Sequence, residues 1–208
     1  MQTDCNEQGA GIECGPGQRR TGVRWAIVGL LFFATTINYI DRAVLGVLKP
    51  TLMDELGWTQ VDFGRIVAAF QIAYAVGYVG AGRLLDIIGV RLGYLLSVGL
   101  WSVAAAAHAL AGSAIGFGAA RVGLGLSEGG NFPAAIKTVT EWFPKESRAF
   151  ATGLFNAGSN IGAVACPLVV PWIAERWGWQ TAFLATGAIG VVWVLLWTAL
   201  YRSPDQHP

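Results

Sequence analysis

The chain contains six runs of about 20 mostly apolar residues, and a helix of that length crosses the hydrocarbon core of a bilayer. Hydrophobic residues make up 54% of the 208 residues and charged residues 13%, roughly half the charge of an ordinary soluble domain. This composition excludes a disordered chain, a coiled coil and a small soluble enzyme. The runs predict an all-α membrane protein, a bundle of six transmembrane helices at residues 25–48, 66–85, 94–110, 115–139, 149–173 and 182–201.

The sequence divides into a polar tail, the helical bundle and a short C-terminal segment. Residues 1–24 are rich in Gly, Gln and charge, so we expect a disordered cytoplasmic tail. Residues 25–201 form the bundle, and residues 202–208 begin a cytoplasmic interdomain loop. If the N-terminus is cytoplasmic, nine Lys and Arg residues fall on that side and three on the other. This bias predicts that both termini lie in the cytoplasm. We expect the membrane to be the plasma (inner) membrane.

Charge, cysteine and histidine placement argue against several kinds of partner. The net charge of +1 provides no basic surface for nucleic acid. The three cysteines lack CxxC spacing and two lie in the tail, which argues against a disulfide framework or a zinc site. His108 stands alone near the end of the third span, where a tolerated polar residue is more frequent than a ligand. We therefore expect no metal, no cofactor and no nucleic-acid partner.

Two connecting segments share a weakly similar sequence pattern. The pattern DxxGxR at residues 86–91 follows the second span, and ExxGxQ at residues 175–180 follows the fifth. Each matched pair is separated by 89 residues (175 − 86), and the two segments fall on opposite sides of the membrane. This is the trace that a three-plus-three inverted repeat leaves in a sequence.

The first span carries three polar residues, Asn38, Asp41 and Arg42. On a helix they form one stripe roughly 100° wide. A charge at the centre of a span costs about 2.5–3.5 kcal/mol on insertion scales, so the stripe must face other helices or a water-filled cavity. The simpler alternative is a neutralised Asp–Arg pair that only holds helices together.

The fourth span carries Arg121 and Glu128, which lie on nearly the same face of the helix but about 10 Å apart along its axis. That separation excludes a direct ion pair within the helix, so each needs a partner elsewhere. Asp41 with Arg121 and Arg42 with Glu128 are two candidate pairs, and the sequence does not choose between pairings. Two acids and two arginines in one bundle predict a proton relay and an anion site.

Uncharged polar residues on two further spans are candidate substrate contacts. Gln71, Tyr74 and Tyr78 share a narrow arc of the second span and suit hydroxyl groups. Asn156 and Asn160 form a similar stripe on the fifth span. The alternatives are interfacial anchoring for the tyrosines and helix–helix hydrogen bonding for the amides.

Several motifs together resemble one transporter family. The segment after the second span, with Gly82, Asp86, Gly89 and Arg91, resembles the loop motif of the major facilitator superfamily. Segments similar to its anion:cation symporter branch are NYIDR at 38–42, RxxxGxxEG at 121–129 and WFP at 142–144. Segments similar to hexuronate transporters are FNxGSxIG at 155–162 and GWQxxF at 178–183. The resemblance covers residues 25–208.

The resemblance implies proton-coupled symport of sugar-acid anions by alternating access. In the family pattern, Asp41 and Glu128 match protonatable acids, and Arg42 matches the arginine that receives the substrate carboxylate. Arg121 matches the arginine paired to the glutamate of the fourth span, and Tyr74 matches a substrate-contacting tyrosine. A guanidinium presents a fixed fork to a carboxylate, which agrees with the role of Arg42.

Two departures from the family pattern matter. The loop motif carries fewer arginines than is usual, and the family has twelve spans where this chain has six. We therefore expect an N-terminal half, as a truncated gene product or a fragment. A C-terminal six-helix half or a second copy would be needed to complete the cavity.

Two other functional classes are consistent with six spans. An intramembrane serine protease similar to the rhomboid group needs Gly-x-Ser-Gly and a histidine on a later span. Here residues 125–128 read GLSE and the sixth span has no histidine, which disfavours that class. The second alternative is a membrane fragment without transport activity.

Overall fold

The computed structural model describes residues 16–201, with side chains from residue 22 onward. Eight α-helices and one short 3₁₀ helix make up this part of the chain, and it contains no strand. The helices are α1 (Pro16–Val47), α2 (Lys49–Leu56), α3 (Gln60–Ile88), α4 (Val90–Ala107, continued by the 3₁₀ helix His108–Leu110), α5 (Ala114–Glu128), α6 (Asn131–Trp142), α7 (Lys145–Trp177) and α8 (Trp179–Leu200).

The start of α1 differs from the expectation drawn from the sequence. The helix begins at Pro16, so residues 16–24 are helical although the polar tail was expected to be disordered. Gln and Arg are good helix formers, and a helix that is already nucleated extends past the hydrocarbon at little cost. Residues 1–15, and the loop expected at residues 202–208, lie outside the described part of the chain.

Six crossings are present, and one of them is broken. Among the described residues, five helices are long and apolar enough to cross a membrane: α1 from Gly22, α3, α4 with its 3₁₀ helix, α7 and α8. The sixth crossing is divided between α5 and α6, which meet at Gly129 and Gly130. Pro133 has no N–H to bond the Gly129 carbonyl, which explains the interruption. Residues 114–142 together span about 43 Å, enough for a crossing.

The two ends of the bundle are defined by their connections. The α2 end contains residues 48–59, 108–114 and 178, and the loop-motif end contains residues 82–91, 143–144 and 201. Because the chain crosses six times, the first and last described residues lie at the same end, the loop-motif end.

The inverted repeat predicted from the similar segments at residues 86–91 and 175–180 is visible in the backbone. Gly89 joins α3 to α4 with φ 79° and ψ 162°, and Gly178 joins α7 to α8 with φ 84° and ψ 156°. Each glycine donates its N–H to the carbonyl four residues earlier, Leu85 at 3.1 Å and Ala174 at 2.9 Å. A positive φ favours glycine because it has no Cβ. The same turn therefore occurs 89 residues apart, at opposite ends of the bundle.

Close helix contacts follow the same symmetry. Helix α1 packs against α7, and α3 packs against α5, so exchanging the two three-helix repeats converts one contact into the other. In the first contact, a Cβ on Gly162 of α7 would lie 2.5 Å from the Thr36 oxygen of the α1 backbone. In the second, a Cβ on Gly125 of α5 would lie 2.6 Å from the Phe70 carbonyl of α3. Small residues at both contacts permit this close backbone approach.

The outer surface of the bundle is apolar. On α3, Ile72 is 68% exposed and Val79 is 79% exposed. Large exposed aliphatic side chains of this kind also occur on α7 and α8. Such a surface is unfavourable in water, whereas the acyl chains of lipid match it. The fold is therefore that of a multi-pass membrane protein.

We predict that Gly162→Ala lowers the stability of the bundle, because the added methyl would force α1 and α7 apart. Overpacking of this kind costs about 1–3 kcal/mol. Gly99→Ala in α4 is the matched control, since nothing lies within 4 Å of a Cβ at that position. Thermal unfolding of both purified variants in detergent checks the prediction, and equal midpoints for the two would contradict it.

Candidate functional site

A cavity of about 200 Å³ lies between α1, α3 and α5. Two of the four charged residues predicted from the sequence line it, Arg42 and Arg121. The other lining residues are Leu45, Gly46, Phe63, Val67, Phe70 and Gln71. The cavity therefore has cationic and hydrogen-bonding groups on largely apolar walls.

Arg42 is held by an ion pair and by aromatic rings. Its Nε donates to Glu128 Oε2 at 2.8 Å. The guanidinium carbon lies 4.2 Å from the ring centroid of Tyr74, 5.4 Å from that of Tyr39 and 5.7 Å from that of Phe70. The Arg42 side chain keeps 23% of its surface exposed, whereas that of Glu128 is fully buried. One face of the guanidinium is therefore fixed by the protein while part of it remains accessible.

Arg121 lies next to this pair but makes different contacts. Its Nη1 donates to the main-chain oxygen of Asp41 at 3.4 Å, and its guanidinium lies 5.5 Å from the ring centroid of Phe70. The Asp41 carboxyl is buried, and its two oxygens have no hydrogen-bond partner among the described residues. Arg42 and Asp41 are consecutive, so they point about 100° apart on the helix. One faces the cavity and the other faces the interior of the bundle.

The sequence left the pairing of the charged residues open. In the structure, Arg42 pairs with Glu128. This pairing differs from the resemblance, which implies that Glu128 pairs with Arg121. Two residues seven positions apart on one helix are separated by about 10 Å along the axis, whereas Arg42 reaches Glu128 from a neighbouring helix. Arg121 is left to contact Asp41 instead.

A glycine on α5 brings these groups together. A Cβ at Gly125 would lie 2.6 Å from the Phe70 carbonyl and 3.0 Å from the Tyr74 amide nitrogen. The close approach places Tyr74 of α3 within reach of Glu128 and its partner Arg42. The site is therefore built from three helices, and Gly125 permits two of them to approach closely.

The other predicted contacts are distributed unequally. Gln71 lines the cavity with Arg42. Asn38 is fully buried, its amide atoms have no hydrogen-bond partner among the described residues, and it does not line this cavity. Asn156 and Asn160 are exposed on α7 and do not line it either. Helical spacing could not establish which exposed face of α7 lies beside the charged residues.

Sequence reasoning missed two aromatic residues of the site. Phe70 lies under both Arg42 and Arg121, and Tyr39 lies beside Arg42. Phe70 precedes Tyr74 by four residues and therefore shares its helix face, which was an available signal. Rings against a guanidinium stabilise it by cation–π attraction.

The loop motif ties α3 to α6 at its end of the bundle. Lys137 Nζ donates to Asp86 Oδ1 at 2.7 Å and to the Leu85 carbonyl at 3.0 Å. Gly89 provides the positive-φ turn, and the carbonyl of Arg91 accepts from Trp197 Nε1 at 3.0 Å. A Cβ added to Gly82, the first residue of the motif, would meet nothing within 4 Å.

The protease alternative finds no support in the geometry. Ser127 Oγ donates to the carbonyls of Gly123 and Leu124 at 2.7 and 3.1 Å, and His108 Nδ1 lies 2.8 Å from the Ala104 carbonyl. Within residues 22–201 the serine and the histidine do not form a pair. Nor does this part of the chain hold a group of three His, Cys, Asp or Glu side chains that could bind a metal.

Two inverted three-helix repeats, with charged residues buried between the first and fourth crossings, define a secondary-transporter fold. The family model of the Major Facilitator Superfamily matches residues 31–208. The chain belongs to this superfamily, whose matched members here are transporters rather than enzymes.

The chain is similar to curated sugar-acid transporters. It is 38% identical over 186 residues to the hexuronate transporter of Escherichia coli (strain K12), covering 89% of this chain and 43% of the relative. It is 37% identical over 186 residues to the galacturonate transporter of Dickeya chrysanthemi, covering 89% of this chain and 54% of the relative. The chain thus spans about half the length of the curated relatives it matches.

A solved structure shares the fold. A bacterial homologue of the human lysosomal transporter Spinster, in an inward-facing and unoccupied conformation, superposes with a TM-score of 0.79 at 23% identity. The match covers 88% of this chain and 44% of that chain. At this identity the likeness concerns the fold alone.

We predict that Arg42→Ala destabilises the bundle by about 2 kcal/mol, because it leaves the Glu128 carboxyl buried without its cation. Adding Glu128→Gln to that variant should recover most of the loss. Arg65→Ala is the control, since Arg65 is exposed and lies 4.0 Å from Asp62; such surface pairs contribute little. Chemical denaturation in detergent measures all three, and a double variant no more stable than Arg42→Ala would show that the pair is not coupled.

Proposed function

We propose that this chain is one half of a proton-coupled symporter for sugar-acid anions, most specifically hexuronates, that works by alternating access. The observation that carries the proposal is the partly accessible Arg42 guanidinium, bonded to the buried Glu128 at the edge of a cavity. The named substrates of the hexuronate and galacturonate transporters support the same substrate class.

The cavity chemistry suits a sugar acid. Arg42 lines the cavity with part of its side chain accessible, and a guanidinium binds a carboxylate through parallel N–H groups. Gln71 lines the same cavity, and Tyr74 lies under Arg42, so both are available for sugar hydroxyls. We keep Asn38, Asn156 and Asn160 as further candidate contacts.

Glu128 and the substrate carboxylate compete for the Arg42 guanidinium, and this competition couples proton movement to substrate transport. The Glu128 carboxylate accepts from Arg42 Nε. The carboxylate of a substrate must therefore compete with Glu128 for Arg42, and the negative charge of Glu128 also repels it. Protonation of Glu128 removes the charge and frees Arg42 for the substrate. Release of that proton on the other side restores the pair and expels the anion. Asp41, next to Arg121, serves as the second proton site.

We also propose an orientation of the bundle in the membrane, a partner that completes the cavity and a role for the loop motif. The α2 end faces outward and both termini lie in the cytoplasm, in the plasma (inner) membrane, as the Lys and Arg bias predicts. A C-terminal six-helix half, or a second copy, completes the cavity. The motif residues Gly82, Asp86, Gly89 and Arg91 take part in gating at the cytoplasmic side.

We predict that Arg42→Lys weakens uronate binding by at least about tenfold, in a transporter that contains this chain with a second six-helix half. Lysine keeps the charge but loses the planar fork, and a hydrogen bond to a charged group contributes about 1.5–3 kcal/mol. Concentration-dependent uptake of labelled uronate measures the effect. Arg65→Lys, far from charged partners other than Asp62, is the control, and unchanged affinity in both Arg42→Lys and Arg42→Ala would refute the assignment.

We also predict that Glu128→Gln separates exchange from accumulation. Glutamine mimics the protonated acid, so the variant should still exchange substrate across the membrane but fail to concentrate it. Counterflow and proton-driven uptake, measured in the same proteoliposomes, give the two rates.

The matched control for this experiment is Glu55→Gln. Glu55 lies at the α2 end, where its carboxylate accepts from Trp179 Nε1 at 2.8 Å, and we expect both rates to be retained. Normal concentrative uptake by both Glu128→Gln and Asp41→Asn would exclude the coupling mechanism.

A further inference from the structure

The residue that carries the buried carboxylate of the site lies at the very end of a helix. Glu128 is the last residue of α5, and α6 begins at Asn131. The last carbonyls of a helix lack partners within that helix, so the geometry of a helix end depends on other contacts. Within the break, Gly130 donates its N–H to the Ser127 carbonyl at 3.2 Å, which closes one tight turn. The hydrogen bonds of α5 alone therefore do not fix the direction in which the chain leaves Glu128.

Two side chains of α4 contact the chain on either side of Glu128. Ser97 Oγ donates to the Ser127 carbonyl at 3.1 Å, just before Glu128. The Tyr94 hydroxyl donates to Asn131 Oδ1 at 2.7 Å, just after the break. Tyr94 and Ser97 are three residues apart and so lie on one face of α4. Helix α4 therefore bridges the break, with one hydrogen bond to each side of it.

The Tyr94 hydroxyl is fixed by the packing around its ring. The residue is fully buried, and its ring centroid lies 5.0 Å from those of Trp193 and Trp197 of α8. Both indoles are themselves held by main-chain carbonyls. Trp193 Nε1 donates to the Leu30 carbonyl of α1 at 2.7 Å, and Trp197 Nε1 donates to a carbonyl of α4 at 3.0 Å. The hydroxyl therefore belongs to a rigid part of the bundle, where α1, α4 and α8 meet.

Two glycines in the break allow the neighbouring helices to approach it closely. A Cβ added at Gly130 would overlap the Ser97 hydroxyl of α4. A Cβ added at Gly129 would overlap the main chain of α3 at Gly77 and Tyr78. A broken helix is tolerated at membrane depth where protein encloses it. The geometry of the break therefore depends on α3 and α4.

The placement of Glu128 determines the geometry of the ion pair. Its side chain is fully buried, and Oε2 accepts from Arg42 Nε at 2.8 Å. This bond joins α1 to α5, and a hydrogen bond weakens steeply when its distance or angle departs from the optimum. A change at the break therefore alters how firmly Glu128 holds Arg42.

Helix α6 is also fixed nearer the loop-motif end, away from the break. Lys137 Nζ donates to Asp86 Oδ1 at 2.7 Å and to the Leu85 carbonyl at 3.0 Å, which ties α6 to α3. A displacement of α6 at that end would reach Glu128 unless the start of α6 is held. The hydrogen bond that Asn131 accepts from α4 holds this start.

We propose that Tyr94 and Ser97 are positioning residues, which keep Glu128 in bonding geometry with Arg42 by fixing both sides of the helix break. Neither residue lines the Arg42 cavity, so both act through Glu128. The inference rests on the proposed competition between Glu128 and the substrate carboxylate for Arg42. When either hydrogen bond is removed, Glu128 holds Arg42 less firmly, and the substrate meets a weaker competitor.

The first test observes the ion pair in the chain itself. In lipid nanodiscs with ¹⁵N-arginine, the Arg42 Nε–H signal is the one lost in Arg42→Lys. We expect Tyr94→Phe and Ser97→Ala, which each remove only a hydroxyl, to shift this signal and to speed its hydrogen exchange about fivefold, as the loss of one neutral hydrogen bond implies. Ser102→Ala is the matched control and should leave the signal in place, since Ser102 Oγ donates to the Val98 carbonyl within α4. A wild-type signal and exchange rate in Tyr94→Phe or Ser97→Ala would overturn the assignment of that residue.

The second test measures transport kinetics, in the transporter completed by a second six-helix half. We expect Tyr94→Phe to lower the KM for uronate about fivefold and to lower the maximal rate of proton-driven uptake by a similar factor. A loosely held Glu128 admits the anion more easily but no longer expels it efficiently, whereas a general loss of structure lowers the rate without tightening binding. Ser102→Ala should keep both constants. A KM that stays unchanged or rises, in a transporter where Glu128→Gln loses accumulation, would contradict the positioning role.

The outcomes distinguish the positioning role from the function on which it rests. If Glu128→Gln abolishes accumulation while Tyr94→Phe keeps the wild-type Arg42 signal, KM and rate, the positioning role is wrong and the symport mechanism stands. If Tyr94→Phe changes the Arg42 signal but Glu128→Gln accumulates substrate normally, the coupling mechanism fails, and Tyr94 still positions Glu128 against Arg42.

Discussion

Hydrocarbon offers no hydrogen-bond partners, and this one constraint accounts for most of what the bundle contains. Backbone groups must be satisfied within each crossing, so the described chain is helical almost throughout. Charged side chains must find partners between helices, which is why Arg42 and Glu128 meet at 2.8 Å with Glu128 fully buried. The break between α5 and α6 is tolerated where protein rather than lipid surrounds it.

The inverted repeat determines where the charged residues lie relative to one another. Helices α1 and α5 are equivalent elements of the two repeats, and each supplies one acid and one arginine to the site: Asp41 and Arg42 from α1, Arg121 and Glu128 from α5. Because α5 packs closely on α3 through Gly125, the charges of the two repeats face each other instead of lipid. The ion pair thus joins the two repeats at the edge of the cavity.

Two consecutive residues of α1 face different environments. Arg42 faces the cavity with aromatic rings around it, while Asp41 faces the interior towards Arg121. A helix can make such a division because neighbouring side chains diverge by about 100°.

The membrane class, the six crossings, the repeat and the superfamily all follow from the amino-acid sequence, because long apolar runs, paired turn motifs and a cluster of family motifs are local features. Local features also identified all four charged residues. The packed bundle was needed to show that Glu128 pairs with Arg42, that Phe70 lies under both arginines, and that Asn156 and Asn160 do not line the cavity. These outcomes depend on how helices distant in sequence rotate and approach one another. That rotation is set by glycine contacts and packing across the bundle, which helical periodicity within a single span does not encode.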